Sequence, residues 1–347
     1  MNAMTMSDDP ADVQDRTVPK AALERQAPTF DGVLEARDRL SAHLQPTPLT
    51  YSTGLSDLLG AEVWLKVETI SPIASFKARG ALNHILLALG AGTCSGAVTS
   101  STGNHGQGVA YAAKLVGVPA DIFLPVGSVA IKKRMIRLFG GTVHEVGRDI
   151  DDAKEYARQF AAERNATFVD DGESVPMIEG AATLGLELAE GLAGIDRVYT
   201  PMGSGVLATG VGLSVHSRQP NAEVIAVQSH GSPAMVESFR ARRPVERPID
   251  TFADCIVCRV PALQALDGIL RWVDDCRLVS DDDLLSAMHT MLVLGHILVE
   301  PGAASVLARA FLDREQIRGK RIVLVVSGAN VDNGMIARAL SKPALGG

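Results

Sequence analysis

The feature that most restricts the fold of this 347-residue chain is a repeated order: a short β-branched run, a loop of small residues, then a helical apolar period. Such runs occupy residues 96–101, 120–126, 197–202, 223–229 and 321–327. Their interiors are apolar without alternation, as in Ile322-Val323-Leu324-Val325-Val326, which is what a strand requires when helices cover both faces of its sheet. This βα alternation predicts an α/β protein with open, doubly wound, mostly parallel sheets. Ligands of such sheets collect beyond the carboxyl ends of the strands, so residues 100–106, 201–206 and 327–330 are candidate site loops by position alone.

Composition narrows the functional classes. With 46% hydrophobic and 21% charged residues the chain is globular and long enough for two domains. A net charge of -7, with only the short basic run Lys132-Lys133-Arg134, argues against a nucleic acid partner. The apolar stretch 291–299 is too short to span a bilayer and contains His296, so no membrane role is expected. Cys94, Cys255, Cys258 and Cys276 are unevenly spaced and form no disulfide framework, and no signal peptide is evident; a reducing cytoplasm fits. Residues 1–28, with Asp8, Asp9, Pro10 and few large apolar groups, read as a mobile leader.

Several motifs bear on chemistry. In Ser75-Phe76-Lys77-Ala78-Arg79-Gly80, Ser75 is a good N-cap for a helix over residues 78–89, which sets Lys77 in the first turn, where peptide dipoles oppose a positive charge. A lysine so placed can hold a carbonyl cofactor; the plain alternative is a surface lysine. Gly203-Ser204-Gly205-Val206-Leu207 follows a strand and opens a helix, an arrangement suited to a phosphate dianion. A dinucleotide turn is the alternative, although the spacing is GxGxxxxG and the next strand ends near Gln228 rather than an acid. Ser101-Thr102-Gly103-Asn104-His105 offers hydroxyls and amides for a carboxylate, with His105, taken alone, more readily a structural histidine than a catalytic base. Ser327 ends an apolar strand, where its hydroxyl can satisfy a ring nitrogen without supplying a full negative charge. Asp281-Asp282-Asp283 reads as an N-cap with an acidic first turn, and Cys255-x-x-Cys258 lacks the second ligand pair of a zinc site, so no metal is expected.

Together with Val299-Glu300-Pro301-Gly302, these motifs occur in an order that resembles the threonine/serine dehydratases of the fold-type II, tryptophan synthase β-like pyridoxal phosphate enzymes. The resemblance runs from about residue 30 to about residue 339. It implies two open doubly wound domains with the cofactor in the cleft between them: residues 29–91 with 174–347 as the large cofactor-binding domain, and 92–173 as the small one. It implies pyridoxal 5'-phosphate held covalently by Lys77, with Phe76 against the pyridine ring and Asn104 at its 3-hydroxyl. Gly203, Ser204, Gly205, Val206 and Leu207 would hold the phosphate and Ser327 the ring nitrogen, with Glu300 close by or merely favouring its own helix dipole. Ser101, Thr102, Gly103, Asn104 and His105 would receive the substrate carboxylate. The activity implied is elimination of water from threonine, serine or a related β-hydroxy amino acid, in a cytoplasmic homodimer. Racemisation, β- or γ-replacement and ligand binding without catalysis are the alternatives. Three departures stand out. Side chains occupy positions 204 and 206 of the phosphate loop, Thr102 replaces the serine of related racemases, and Gln228 and Ala234 stand where cation-binding members carry acids. Set beside its biosynthetic relatives, the chain is expected to have no C-terminal regulatory domain after Asn330.

Overall fold

Residues 26–128, 130–172 and 174–347 are described by the computed structural model; residues 1–25 of the expected leader lie outside them. In chain order the strands are β1 (Leu49–Tyr51), β2 (Glu62–Val67), β3 (Ala97–Ser100), β4 (Ala120–Leu124), β5 (Thr142–Glu145), β6 (Thr167–Phe168), β7 (Arg197–Pro201), β8 (Glu223–Ser229), β9 (Asp275–Val279) and β10 (Arg321–Val326). They form a six-stranded sheet of order β1-β2-β10-β7-β8-β9 and a four-stranded sheet of order β5-β4-β3-β6. Every pairing is parallel except β1 with β2.

The unalternating apolar run of the sequence, β10, lies at the middle of the larger sheet, paired with β2 on one side and β7 on the other. Ile322, Leu324 and Val326 pack on one face with Val63, Leu65 and the helix Pro301–Leu312, while Val323 and Val325 pack on the other with Val198 and Leu207. Each is fully buried and contributes about 1.5–3 kcal/mol of transfer free energy, which is why neither face tolerates a polar residue. The smaller sheet is built the same way, with Ile122 and Leu124 under the helices Lys77–Gly90 and Asn104–Leu115 and with Val98 and Phe123 under Ile150–Arg164.

This strand order fixes the location of the site. β2, β10 and β7 are neighbours, so their carboxyl ends deliver three loops to one place: residues 68–76, 327–330 and 202–205. The first two continue the pairing beyond the sheet, because Ser75 bridges Gly328, Phe76 N donates to Ser327 O at 3.1 Å and Ala329 N donates to Ala74 O at 2.9 Å.

Local details differ from the sequence expectation in two places. The helix of residues 77–90 starts at Lys77 and its N-cap is Phe76, without a side-chain cap bond. Ser75 lies one residue too early to cap: its amide donates to Ser71 Oγ at 2.9 Å, its carbonyl accepts from the same hydroxyl at 2.8 Å, and its own buried hydroxyl has no partner among the described residues. At 281–283 the cap is Ser280, in a capping box with Asp283, so all three aspartates belong to the first turn.

Candidate active site

Lys77 opens its helix with an amine that is 12% exposed, 5.2 Å above the Phe76 ring centroid and ion-paired with Asp171. The Asn104–Leu115 helix approaches it closely, because Gly108 carries no side chain. A Cβ at 108 would stand 3.0 Å from Lys77 O and 3.2 Å from Lys77 Cβ. Gly108→Ala is therefore expected to cost about 1–3 kcal/mol, read as a lower denaturation midpoint, because two packed helices must separate.

Two helix starts present unspent amides to this region. Among the described residues, the amides of 203–208 find no acceptor in the chain, and they precede and open the helix Val206–Arg218. Gly205 has φ +96°, a conformation that favours glycine, and a Cβ at 203 would stand 3.1 Å from Cys255 O. The side chains that interrupt this glycine loop do not obstruct it. Val206 and Leu207 are turned into the two cores, and Ser204 Oγ donates to Asp171 O at 3.1 Å. The amides of 104–106 likewise open the Asn104–Leu115 helix without partners among the described residues. Beside them Ser101 Oγ accepts from Gly103 N at 3.2 Å, and Thr102 is half-buried.

Asn104, Glu300 and Asn330 form one network. Asn104 Nδ2 donates to both Glu300 carboxylate oxygens at 2.9 and 3.0 Å, while its Oδ1 accepts from Asn330 Nδ2 at 2.7 Å. Glu300 occupies the N-cap position of the Pro301–Leu312 helix, and its side chain makes no cap bond but turns to Asn104. Burial pushes its carboxyl up to about 7, opposed by the Asn104 hydrogen bonds and reinforced by Asp254. A folded-state value above the unfolded one means that this group's favourable contribution is complete below about pH 4.5 and is lost as pH rises through about 7. Urea unfolding at pH 5 and pH 8 is expected to show about 2–3 kcal/mol of this loss in the wild type and little of it in Glu300→Gln.

The His105 ring is placed differently from the sequence expectation. It is 2% exposed, with Nε2 at 3.0 Å from both Thr99 Oγ1 of β3 and Val169 O just beyond β6, so Nε2 is spent within the small sheet while Nδ1 has no hydrogen-bond partner. Its amide is also without a partner among the described residues, at the helix start. Burial pulls its pKa down, partly offset by Asp171. Ser327 is buried at the end of β10, and its hydroxyl has no partner among the described residues. Burial raises the thiols of Cys255 and Cys258, the latter to about 11, and Cys255 Sγ accepts from Gly302 N at 3.3 Å. Gln228 is buried and accepts from Val236 N, away from any acidic cluster; among the described residues no three His, Cys, Asp or Glu side chains could hold a metal ion. No helix among them is long and apolar enough to cross a membrane.

Asp171 is the site residue that sequence reading missed. Its loop has no motif of its own, and the only signal was the unusual pair Asp170-Asp171 just before a helix. The combined donor set, an amine, a run of free amides at a helix start and a neutral hydroxyl, fits a group that carries an aldehyde, a phosphate and a ring nitrogen.

Comparison with known proteins agrees. The model of a family described as pyridoxal-phosphate dependent enzyme matches residues 40–328. The chain is 34% identical over 317 residues to an L-threonine ammonia-lyase of Thermotoga maritima, covering 90% of this chain and 78% of that protein. It is 31% identical to an L-threo-3-hydroxyaspartate ammonia-lyase of Saccharomyces cerevisiae, covering 90% and 97%. Maize serine racemase superimposes with a TM-score of 0.85 at 29% identity, covering 91% and 97%.

Proposed function

The chain belongs to the pyridoxal-phosphate dependent enzyme family, and from that premise we propose that it is an ammonia-lyase that eliminates water from threonine, serine or a related β-hydroxy amino acid, giving a 2-oxo acid and ammonia. The observation that carries this reading is the convergence of Lys77, Ser327 and the start of the Val206 helix, at the ends of β2, β10 and β7, with the start of the Asn104 helix at the end of β3. In it, Lys77 and Phe76 hold the reactive end and one face of the cofactor, the amides of Gly203, Ser204, Gly205, Val206 and Leu207 hold its phosphate, and Asn104, Glu300 and Ser327 line its ring. When bound, pyridoxal phosphate supplies an electron sink for the substrate α-carbon.

The chain's own residues do the rest. Lys77 Nζ is the base that takes the α-proton. The hydroxyls of Ser101 and Thr102 and the free amides of Asn104 and His105 would orient the substrate carboxylate at the positive end of a helix, with the Gly103 amide turning the loop through its bond to Ser101 Oγ. Ser327 offers the ring nitrogen a neutral partner, which favours prompt loss of a β-substituent over a long-lived carbanion. Glu300, whose carboxyl burial pushes up to about 7, would hold a proton beside Asn104.

Borohydride reduction of the holoenzyme followed by peptide mapping tests the covalent attachment, and the adduct is expected on Lys77; an adduct elsewhere, or none, overturns the assignment. Incubation with L-threonine or L-serine is expected to release ammonia in step with 2-oxo acid. The likeness in fold to maize serine racemase favours racemisation as a second reading, against which stands Thr102 in place of the racemases' serine, and chiral analysis of recovered serine separates the two. The same reading places the enzyme in the cytoplasm as a homodimer, in keeping with its four free thiols; light scattering reads the oligomeric state.

A further inference from the structure

We propose that Asp171 and the His105 ring form the side-chain end of the substrate pocket, and that they select amino acids whose side chain carries a hydrogen-bond donor or a positive charge over those that carry a carboxylate. This deepens the ammonia-lyase reading and rests on it only in taking an amino acid as the ligand. Three observations carry it.

The first is the charge partnership. Among the described residues Lys77 is the only lysine or arginine paired with Asp171, since the nearby Lys154 and Arg158 both go to Asp170. When Lys77 acts as the neutral base of the proposed reaction it adds no positive charge, and Asp171, 39% exposed, is then left without a cation among the described residues.

The second is the state of His105. Its Nε2 lies against Val169 O, which only accepts, so Nε2 carries the hydrogen and the neutral ring has a bare Nδ1. That Nδ1 has no hydrogen-bond partner, is buried, and stands 3.7 Å from Asp171 Oδ1. Two acceptors converging on one gap call for a donor between them; a carboxylate there would meet two lone-pair sites and one negative charge.

The third is rigidity. Asp171 O accepts from Ser204 Oγ, Gly172 N donates to Asp170 Oδ1 at 2.9 Å, and Val169 O is held by Thr99 and His105. The carboxylate is thus carried on a backbone tied at both sides, which fixes the position of its Cα beside Lys77 and His105. Among the other ionisable groups of the site, Glu300 adds no positive charge, and Lys132 is spent on Asp254.

L-Asparagine and L-aspartate have the same shape and differ in charge, so their dissociation constants, read from the change in cofactor absorption on titrating the holoenzyme, isolate the effect. The wild type is expected to bind asparagine at least about tenfold more tightly than aspartate, Asp171→Asn to reduce that ratio by about tenfold, and Asp171→Glu to retain it. A wild type that binds the two equally, or a ratio unchanged in Asp171→Asn, overturns the proposal. Asp171→Ser serves in the same titration if the asparagine variant fails to fold. Because binding is read without turnover, absence of 2-oxo acid from every β-hydroxy amino acid, alongside a ratio that responds to Asp171, would reject the lyase reading and leave this one standing.

Discussion

Replacing Lys77 by alanine is expected to lower 2-oxo acid release from threonine or serine by about 10⁴-fold or more, since one substitution removes both the attachment point of the cofactor and the base at the α-carbon. Stability is expected to change by less than about 1 kcal/mol, because the partner left behind, Asp171, is 39% exposed and is solvated by water in the absence of the amine. That split between chemistry and stability is the informative result. Lys77→Arg sharpens it: the guanidinium keeps a cation opposite Asp171, yet it remains protonated and cannot add to an aldehyde, so activity stays lost while the charge balance is kept. The measurements are steady-state turnover with added cofactor and urea unfolding of the apoprotein. A Lys77→Arg variant with near wild-type turnover would remove Lys77 from the chemistry.

How much of this was legible in the sequence follows from what each residue is asked to do. The five apolar runs became β3, β4, β7, β8 and β10, because strands buried on both faces leave no polar position to obscure the pattern. Of the five strands not read there, β1 and β6 have only three and two residues, and the others carry charges: β2 contains Glu62 and Lys66, β5 contains His144 and Glu145, and β9 contains Asp275 and Arg277. In β5 and β9 these charges lie at sheet edges. In β2 the Lys66 charge is buried and paired with Glu187, 121 residues away in sequence, a compensation no local pattern announces. Glycine loops at strand ends were visible because backbone geometry demands small residues in sequence. Asp171 was not, since its meaning arises only from Lys77, 94 residues earlier. The two cores also meet along a helix rather than at a linker: Ala81, Leu82 and Ile85 of the Lys77 helix pack with Ile122 and Leu124 of the smaller sheet, while Ser75 and Phe76, just before it, are tied to the end of β10. Lys77 therefore sits at the seam itself, which explains why a residue of one sheet's loop reaches groups borne by the other.

Arg79, two residues beyond Lys77, is expected to be the most costly single site in the fold. Its guanidinium donates to both oxygens of Glu68 at 3.0 Å and to both of Glu187 at 2.5 and 2.9 Å, and Lys66 Nζ also reaches Glu187 at 2.5 Å. Two cations and two anions thus balance in a pocket where Arg79, Glu68 and Lys66 are all buried. Burial acts against every charge here, yet Arg79 and Lys66 together hold the Glu187 carboxyl below its ordinary value. Arg79→Ala leaves two carboxylates facing one ammonium, and the loss of a buried partner is expected to cost about 3–5 kcal/mol. Arg79→Lys keeps the charge but cannot span both carboxylates, and an intermediate loss of about 1–3 kcal/mol follows. The pH dependence identifies the cause. In the wild type Glu187 is depressed, so its contribution is present above its unfolded value and is lost as pH falls. In Arg79→Ala the unpaired carboxylate prefers its proton in the folded state, so the deficit against wild type is largest at pH 7–8 and shrinks toward pH 5. A deficit that is the same at pH 5 and pH 8 would assign the loss to packing of the arginine stem rather than to charge.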